Sequence, residues 1–235
     1  MTIIQLLILQ FTAHLLADFV FQPQRWCDIK ETRVFPRYLF YHTGIVFITS
    51  YTLSFDWSFW KAALAITLIH FVIDAFKSHT LLRTPVKYLF FIDQFLHMVT
   101  LIGIVILYNH WYGIHFLIPV ETKVVGIVAG YVLCAKPTNI IIKFLLKAFS
   151  IETPTDDPTN EEGKSLPNAG KLIGITERFL ALGLILLGQY EAVGLIIAAK
   201  SILRFNATQK SEYVLIGTLL SFGIAALAGI CINLI

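Results

Sequence analysis

The chain has 235 residues, of which 57% are hydrophobic and only 14% are charged. Soluble domains carry about 45–50% apolar residues and more charge to cover their surface, so this composition excludes an ordinary soluble domain. The formal net charge is +3, but the Lys and Arg residues are scattered between apolar segments and form no run of the nucleic-acid-binding kind.

Apolar stretches of about 17–25 residues, the length a bilayer requires of a helix, recur along the chain. They are continuous and do not alternate, which argues against a β-barrel. Residues 1–10 lack a basic leader region and a small-residue cleavage site, so the first apolar segment reads as a retained helix. The expected fold class is all-α: a polytopic helical membrane protein with about eight transmembrane helices. In chain order these are 3–21, 39–55, 59–76, 88–108, 124–135, 172–187, 192–203 and 213–235. Eight crossings put both termini on one side.

Charge sets the orientation. Loops after the odd-numbered helices hold Arg25, Lys30, Arg33 and Arg37, then Lys77, Arg83 and Lys87, then Lys136, Lys143, Lys147, Lys164 and Lys171, then Lys200, Arg204 and Lys210. The opposite loops hold only Lys61 and Lys123. Cytoplasmic loops are enriched in Lys and Arg, so the termini are expected outside. Trp57, Trp60, Trp111 and Tyr112 suit the outer interface.

Residues 150–170 read SIETPTDDPTNEEGKSLPNAG, too polar for a buried core. They divide the chain into an N-terminal membrane bundle (1–149), a cytoplasmic polar linker (150–170) and a C-terminal three-helix segment (171–235). Residues 137–149 form either an amphipathic helix on the membrane surface or a continuation of the fifth span. Cys27, Cys134 and Cys231 are scattered and odd in number, with no disulfide framework and no CxxC metal motif.

Four acids fall inside the expected spans: Asp18, Asp74, Asp93 and Glu177. Ionisable groups in hydrocarbon cost a few kcal/mol on insertion scales and usually line a bundle interior. Each aspartate has a histidine four residues away, on the same helical face. His14 precedes Asp18, His70 precedes Asp74, and His97 follows Asp93. His42 opens the second helix. Tracing each crossing returns every group to the cytoplasmic level. Four helices side by side therefore bring seven N/O ligands together. Imidazole plus carboxylate suits zinc first, then manganese or iron, and seven ligands suffice for two or three divalent ions with open positions. One such pair alone is more often an interhelical hydrogen bond. A proton relay or ion pathway uses the same residue types.

The segment 14–23, HLLADFVFQP, resembles the H-x-x-x-D-x-x-x-Q-P motif of zinc phospholipase C and the single-strand-specific zinc nucleases. That all-helical superfamily builds a three-zinc phosphodiesterase site from two H-x-x-x-D pairs and further His and Asp ligands. By motif, His14 and Asp18 match one pair and His70 and Asp74 the other, with His42, Asp93 and His97 as looser counterparts. The superfamily is soluble, and its ligand His after Q-P is replaced here by Gln24, Arg25 and Trp26. Across nearly the whole chain, HLLADFVFQ, HFVIDAFK, FFIDQFLH, ITERFLALGLILLGQYEAVGLIIAAKSILRF and EYVLIGTLLSF look like a bacterial inner-membrane family of unknown function. Membrane-bound metal-dependent hydrolases share this style of intramembrane His and Asp.

Lys77, one turn beyond Asp74, and Arg178, Lys200 and Arg204 are expected to hold an anionic substrate beside the metals. For Lys200 and Arg204, snorkelling positive-inside anchors are the slightly favoured reading. An internal Glu177–Arg178 ion pair is expected, and Glu212 and Tyr213 stand at the same level. Gln22 and Gln94 are candidates to orient ligands. His79, His110 and His115 read as surface residues. The leading function is a metal-dependent hydrolase of a phosphoester, either a lipid head group or a nucleotide-like molecule, with membrane lipids as surroundings. A cation or proton-coupled transporter is the alternative; the apolar outer halves, residues 3–9 and 99–107, argue against it. A third reading is a membrane anchor recruiting cytosolic partners through 150–170.

Overall fold

A computed structural model describes residues 2–30, 37–83, 88–118, 120–151, 169–205 and 211–235. Among them every regular element is helical: α1 (Ile3–Leu15), a π-helical segment (Leu16–Val20), α2 (Gln24–Lys30), α3 (Arg37–Leu53), a 3-10 turn (Trp57–Phe59), α4 (Trp60–Arg83), α5 (Leu89–Tyr112), α6 (Thr122–Cys134), α7 (Lys136–Ala148), α8 (Ala169–Leu186), α9 (Tyr190–Phe205) and α10 (Ser211–Asn233). The linker read at 150–170 falls mostly on residues 152–168, outside the described residues.

Four helical stretches are long and apolar enough to cross a membrane: Ile3–Val20, Trp57–Thr80, Leu89–Tyr112 and Leu215–Asn233. Four of the eight expected spans, or five if the α6–α7 pair is one broken span, are matched in this way among the described residues. Length and charge account for the rest. With 17 and 16 residues, α3 and α9 sit at or below the short end of what a bilayer requires. Lys171, Glu177 and Arg178 fall within the 18 residues of α8.

Residues 137–149 are neither a straight continuation of α6 nor separate from it. The helix α7 follows α6 directly and bends from it by 49°. Proline lacks an N–H and clashes with the carbonyl four residues back, and Pro137 sits at the first turn of α7. Ala135 leaves helical backbone at φ −75°, ψ −125°. The Thr138 hydroxyl donates to the Leu133 carbonyl at 2.6 Å, satisfying an acceptor at the break.

The chain groups into two compact units, residues 1–129 and 130–235, with the division inside α6 and α7 in the C-terminal unit. In the N-terminal unit α1 packs on α3 and α5, and α4 packs on the same two helices, closing a four-helix ring. Its core is built from Leu6, Phe59, Ala63, Ile66, Leu101 and Val105. Large apolar side chains such as Leu68, Val72, Phe76, Phe95 and Val99 point outward, while polar ones such as Gln10, His42, His70, Asp74 and Asp93 are buried inside beside the apolar core. A surrounding hydrocarbon phase favours that inversion.

One end of the ring is tied by Asp56. Its carboxylate accepts from the Ser58 N–H at 2.9 Å, the Tyr108 hydroxyl at 2.7 Å and the His115 N–H at 3.2 Å. Trp57, Trp60, Trp111 and Tyr112 are exposed at this end. The Lys61 ammonium stands over the Trp60 and Tyr112 rings.

In the C-terminal unit α8 packs on α7, α9 and α10. The approach of α10 to α8 depends on Gly229, where an added Cβ would lie 2.5 Å from Ile185 Cγ2. Small residues permit such close helix contacts in membranes. Gly229→Ala is expected to cost about 1–3 kcal/mol by overpacking, read as a lower unfolding midpoint in detergent.

Candidate metal centre

Each candidate ligand reaches the ring interior through its helix register. His70 and Asp74 lie one turn apart on α4, as do Asp93 and His97 on α5. His42 lies in the second turn of α3 and His14 in the last turn of α1. The end of α1 adds a feature invisible in the His-x-x-x-Asp spacing. From Leu16 the hydrogen bonding widens, with the Phe21 N–H donating to the Leu16 carbonyl at 2.8 Å. Such π segments insert extra backbone per turn and recur at functional sites. Asp18 sits within it, its Oδ1 3.7 Å from His14, 3.4 Å from His42 and 3.6 Å from His70.

Asp74 has the same role on the other side. Its Oδ2 lies 3.7 Å from His42 Nε2 and 3.9 Å from His70 Nε2, and its Oδ1 lies 3.7 Å from His97 Nε2. His97 Nε2 is 3.5 Å from Asp93 Oδ1. The Nε2 atoms of His42 and His70 approach to 3.0 Å, and the His70 and His97 rings stack at 4.0 Å. All seven side chains expected from sequence meet in one continuous buried cluster.

The donor set fits divalent metal ions. Three overlapping groups, His14–Asp18–His70, His42–His70–Asp74 and Asp74–Asp93–His97, each keep their donor atoms within 4.8 Å of one another. Four donors at about 2.0–2.1 Å around a tetrahedral zinc stand about 3.3–3.4 Å apart. Most imidazole–carboxylate separations here are 3.4–3.9 Å, beyond hydrogen-bond reach and near that spacing. His42 Nδ1, His97 Nε2 and Asp93 Oδ1 are buried with no hydrogen-bond partner among the described residues. Charge points the same way. With neutral imidazoles, three carboxylates and one ammonium (Lys77) leave a formal −2 in the interior. Buried charge is costly unless paired or coordinated to metal.

Lys77 stands at the mouth. Its ammonium donates to Asp93 Oδ2 at 2.7 Å and lies over the Phe90 ring. Its side chain is 28% exposed, against 9% or less for the ligands in its ion-pair network. Gln94 links two ligands, its Oε1 3.2 Å from His14 Nε2 and its Nε2 donating to Asp93 Oδ2 at 3.2 Å. Gln22 is buried just beyond the π segment.

The other expected cations behave differently. Arg178 does not pair with Glu177. Its Nε donates to the Cys134 carbonyl, Nη1 to Ser221 Oγ, and Nη2 to the Ala135 carbonyl and Asn139 Oδ1. Glu177 pairs instead with Lys200. All these contacts lie within the C-terminal unit. The side chains of Arg204, Glu212 and Tyr213 lie outside the described residues. His79, His110 and His115 are exposed, and none of the three cysteines is in a disulfide.

Sequence reasoning missed a polar layer one turn deeper. Gln10 Nε2 donates to the Ser50 carbonyl at 2.9 Å, and Ser50 Oγ donates to Gln10 Oε1 at 2.6 Å. Gln5, Thr49 and Ser54 are also buried, so the outer halves are less purely apolar inside than their composition implies. The signal was register: Gln10 stands one turn before His14 on α1, and Ser50 stands two turns after His42 on α3.

No curated protein and no solved structure matches the chain. One family does, over residues 6–125, which contain all seven candidate ligands and Lys77 but stop short of the C-terminal segments. The chain belongs to that family, described as "Protein of unknown function (DUF3307)".

Proposed function

We propose that this chain is a multi-pass membrane protein whose N-terminal bundle holds two or three divalent ions, zinc first among them, and hydrolyses a phosphoester at its Lys- and Arg-rich membrane face. That face is the cytoplasmic one by the positive-inside rule, with the termini outside. The observation that carries the reading is the convergence of His14, Asp18, His42, His70, Asp74, Asp93 and His97 from four elements into one buried, net-negative cluster.

A bound divalent ion would lower the pKa of a water and polarise the phosphoryl group. The chain's own residues supply the rest. Asp18 and Asp74, each within 4 Å of three imidazoles, fix the ligand geometry. Gln94 orients His14 and Asp93. Lys77, already charge-paired and partly exposed, offers the substrate's anionic oxygens a cation at the entrance. The short motif shared with zinc phosphodiesterases adds support for the substrate class.

Purified protein is expected to hydrolyse bis(p-nitrophenyl) phosphate, to lose activity on chelation and to regain it with zinc or manganese. Absence of turnover under every metal would contradict hydrolysis. Lys77→Met is expected to raise KM for this anionic probe about tenfold, the loss of roughly 1.4 kcal/mol of binding, with metal content unchanged. Transport is the competing reading. The packed layer of Leu6, Phe59, Ala63 and Val105 between the Gln10–Ser50 pair and the Asp56 end favours a one-sided site.

A further inference from the structure

The cluster has a second side. A cavity of about 20 Å³ opens on His14, His70 and His97, and its inner wall is formed by Gln10, Ser50 and Thr100. One water needs about 10–15 Å³ and two to four polar partners. This cavity has room for one such molecule. The Gln10 and Ser50 oxygens retain accepting capacity beyond their mutual hydrogen bonds, and Thr100 lines the same cavity.

Register places this cavity opposite the mouth. Gln10 is one turn from His14 away from Asp18. Thr100 is about one turn from His97 away from Asp93. Lys77 is one turn from Asp74 in the other axial direction. Cavity and Lys77 therefore bracket the ligands along the ring axis.

We infer that the cavity is a water site on the inner face of the metal centre, so that water and an anionic substrate occupy opposite ends of it. This rests on the metal-binding reading above.

The experiment uses full-length protein loaded with manganese or cobalt and transferred to water enriched in oxygen-17. Metal stoichiometry and the oxygen-17 hyperfine coupling are read together. The wild type is expected to show coupling from an exchangeable water. Ala13→Val, which projects methyls from the cavity wall, is expected to lose it at unchanged metal stoichiometry. Thr100→Val, nearly isosteric and gentler on folding, is expected to weaken it at least twofold. Metal-loaded wild type with no water coupling, or couplings unchanged in both variants, overturns the water site while leaving the metal centre standing. Wild type that retains neither metal overturns both.

Discussion

Replacing Asp74 by alanine is expected to strip the purified protein of most of its divalent metal and abolish phosphoester turnover. Asp74 faces His42, His70 and His97 at 3.7–3.9 Å, so its loss removes a donor from two of the three candidate groups. Loss of a residue that only orients a ligand costs about 10–100-fold in metal affinity. Gln94→Ala should fall in that range, and Asp74→Ala well beyond it. Stability gives a sign that an ordinary buried polar network would not. In metal-free protein, Asp74→Ala reduces the formal interior charge from −2 to −1 and relieves repulsion among carboxylates. The chelated variant should therefore unfold no more easily than chelated wild type. In saturating metal the order reverses, because a ligand at 1,000 times its Kd stabilises the native state by about 4 kcal/mol and the variant forfeits that. Thermal unfolding of both proteins, with and without chelator, measures this crossover. If Asp74→Ala is equally destabilising in both conditions, Asp74 is a hydrogen-bonding core residue and not a ligand.

Arg178→Ala is expected to destabilise the C-terminal unit by about 3–5 kcal/mol, the range for removing one partner of a buried charged arrangement. Arg178 is 1% exposed. Its guanidinium joins the carbonyls at the α6–α7 break to Asn139 on α7 and Ser221 on α10. Truncation leaves those acceptors buried and unsatisfied. Lysine keeps the charge but not the planar fork, so Arg178→Lys should recover little of the loss. Metal content in folded protein should be unchanged by either substitution. A variant with wild-type stability and raised KM for the phosphodiester probe would instead make Arg178 a substrate clamp.

Much of the N-terminal site was legible in the amino-acid pattern. Histidines and aspartates four apart share a helix face, and counting crossings brings them to one level, so the seven residues could be named without coordinates. Lys77 follows from the same register. The π segment at 16–20 could not be read, because i,i+4 spacing looks the same whether or not the next turn widens. The polar layer of Gln10 and Ser50 was hidden for a related reason: both lie among other polar residues of their helices, and only packing shows that they turn inward to meet. The Glu177–Arg178 pair was misassigned because adjacent helical residues do not face one another. Glu177 faces α9 and Arg178 faces the break between α6 and α7. Four or five of the eight expected spans have the length and composition of a crossing among the described residues, because hydropathy does not register the bend before Pro137, the shortness of α3 and α9, or the three charges of α8.

Metal bound per chain tests the central claim most directly. Full-length protein purified in detergent without added metal or chelator can be analysed for every divalent element and compared with His70→Ala and Asp74→Ala proteins of equal helicity. Two or three ions per wild-type chain, predominantly zinc, are expected, and fewer than half that number in either variant. Folded wild type that contains no divalent ion and takes none up from zinc, manganese or iron, or variants that retain the full wild-type content, would contradict that claim.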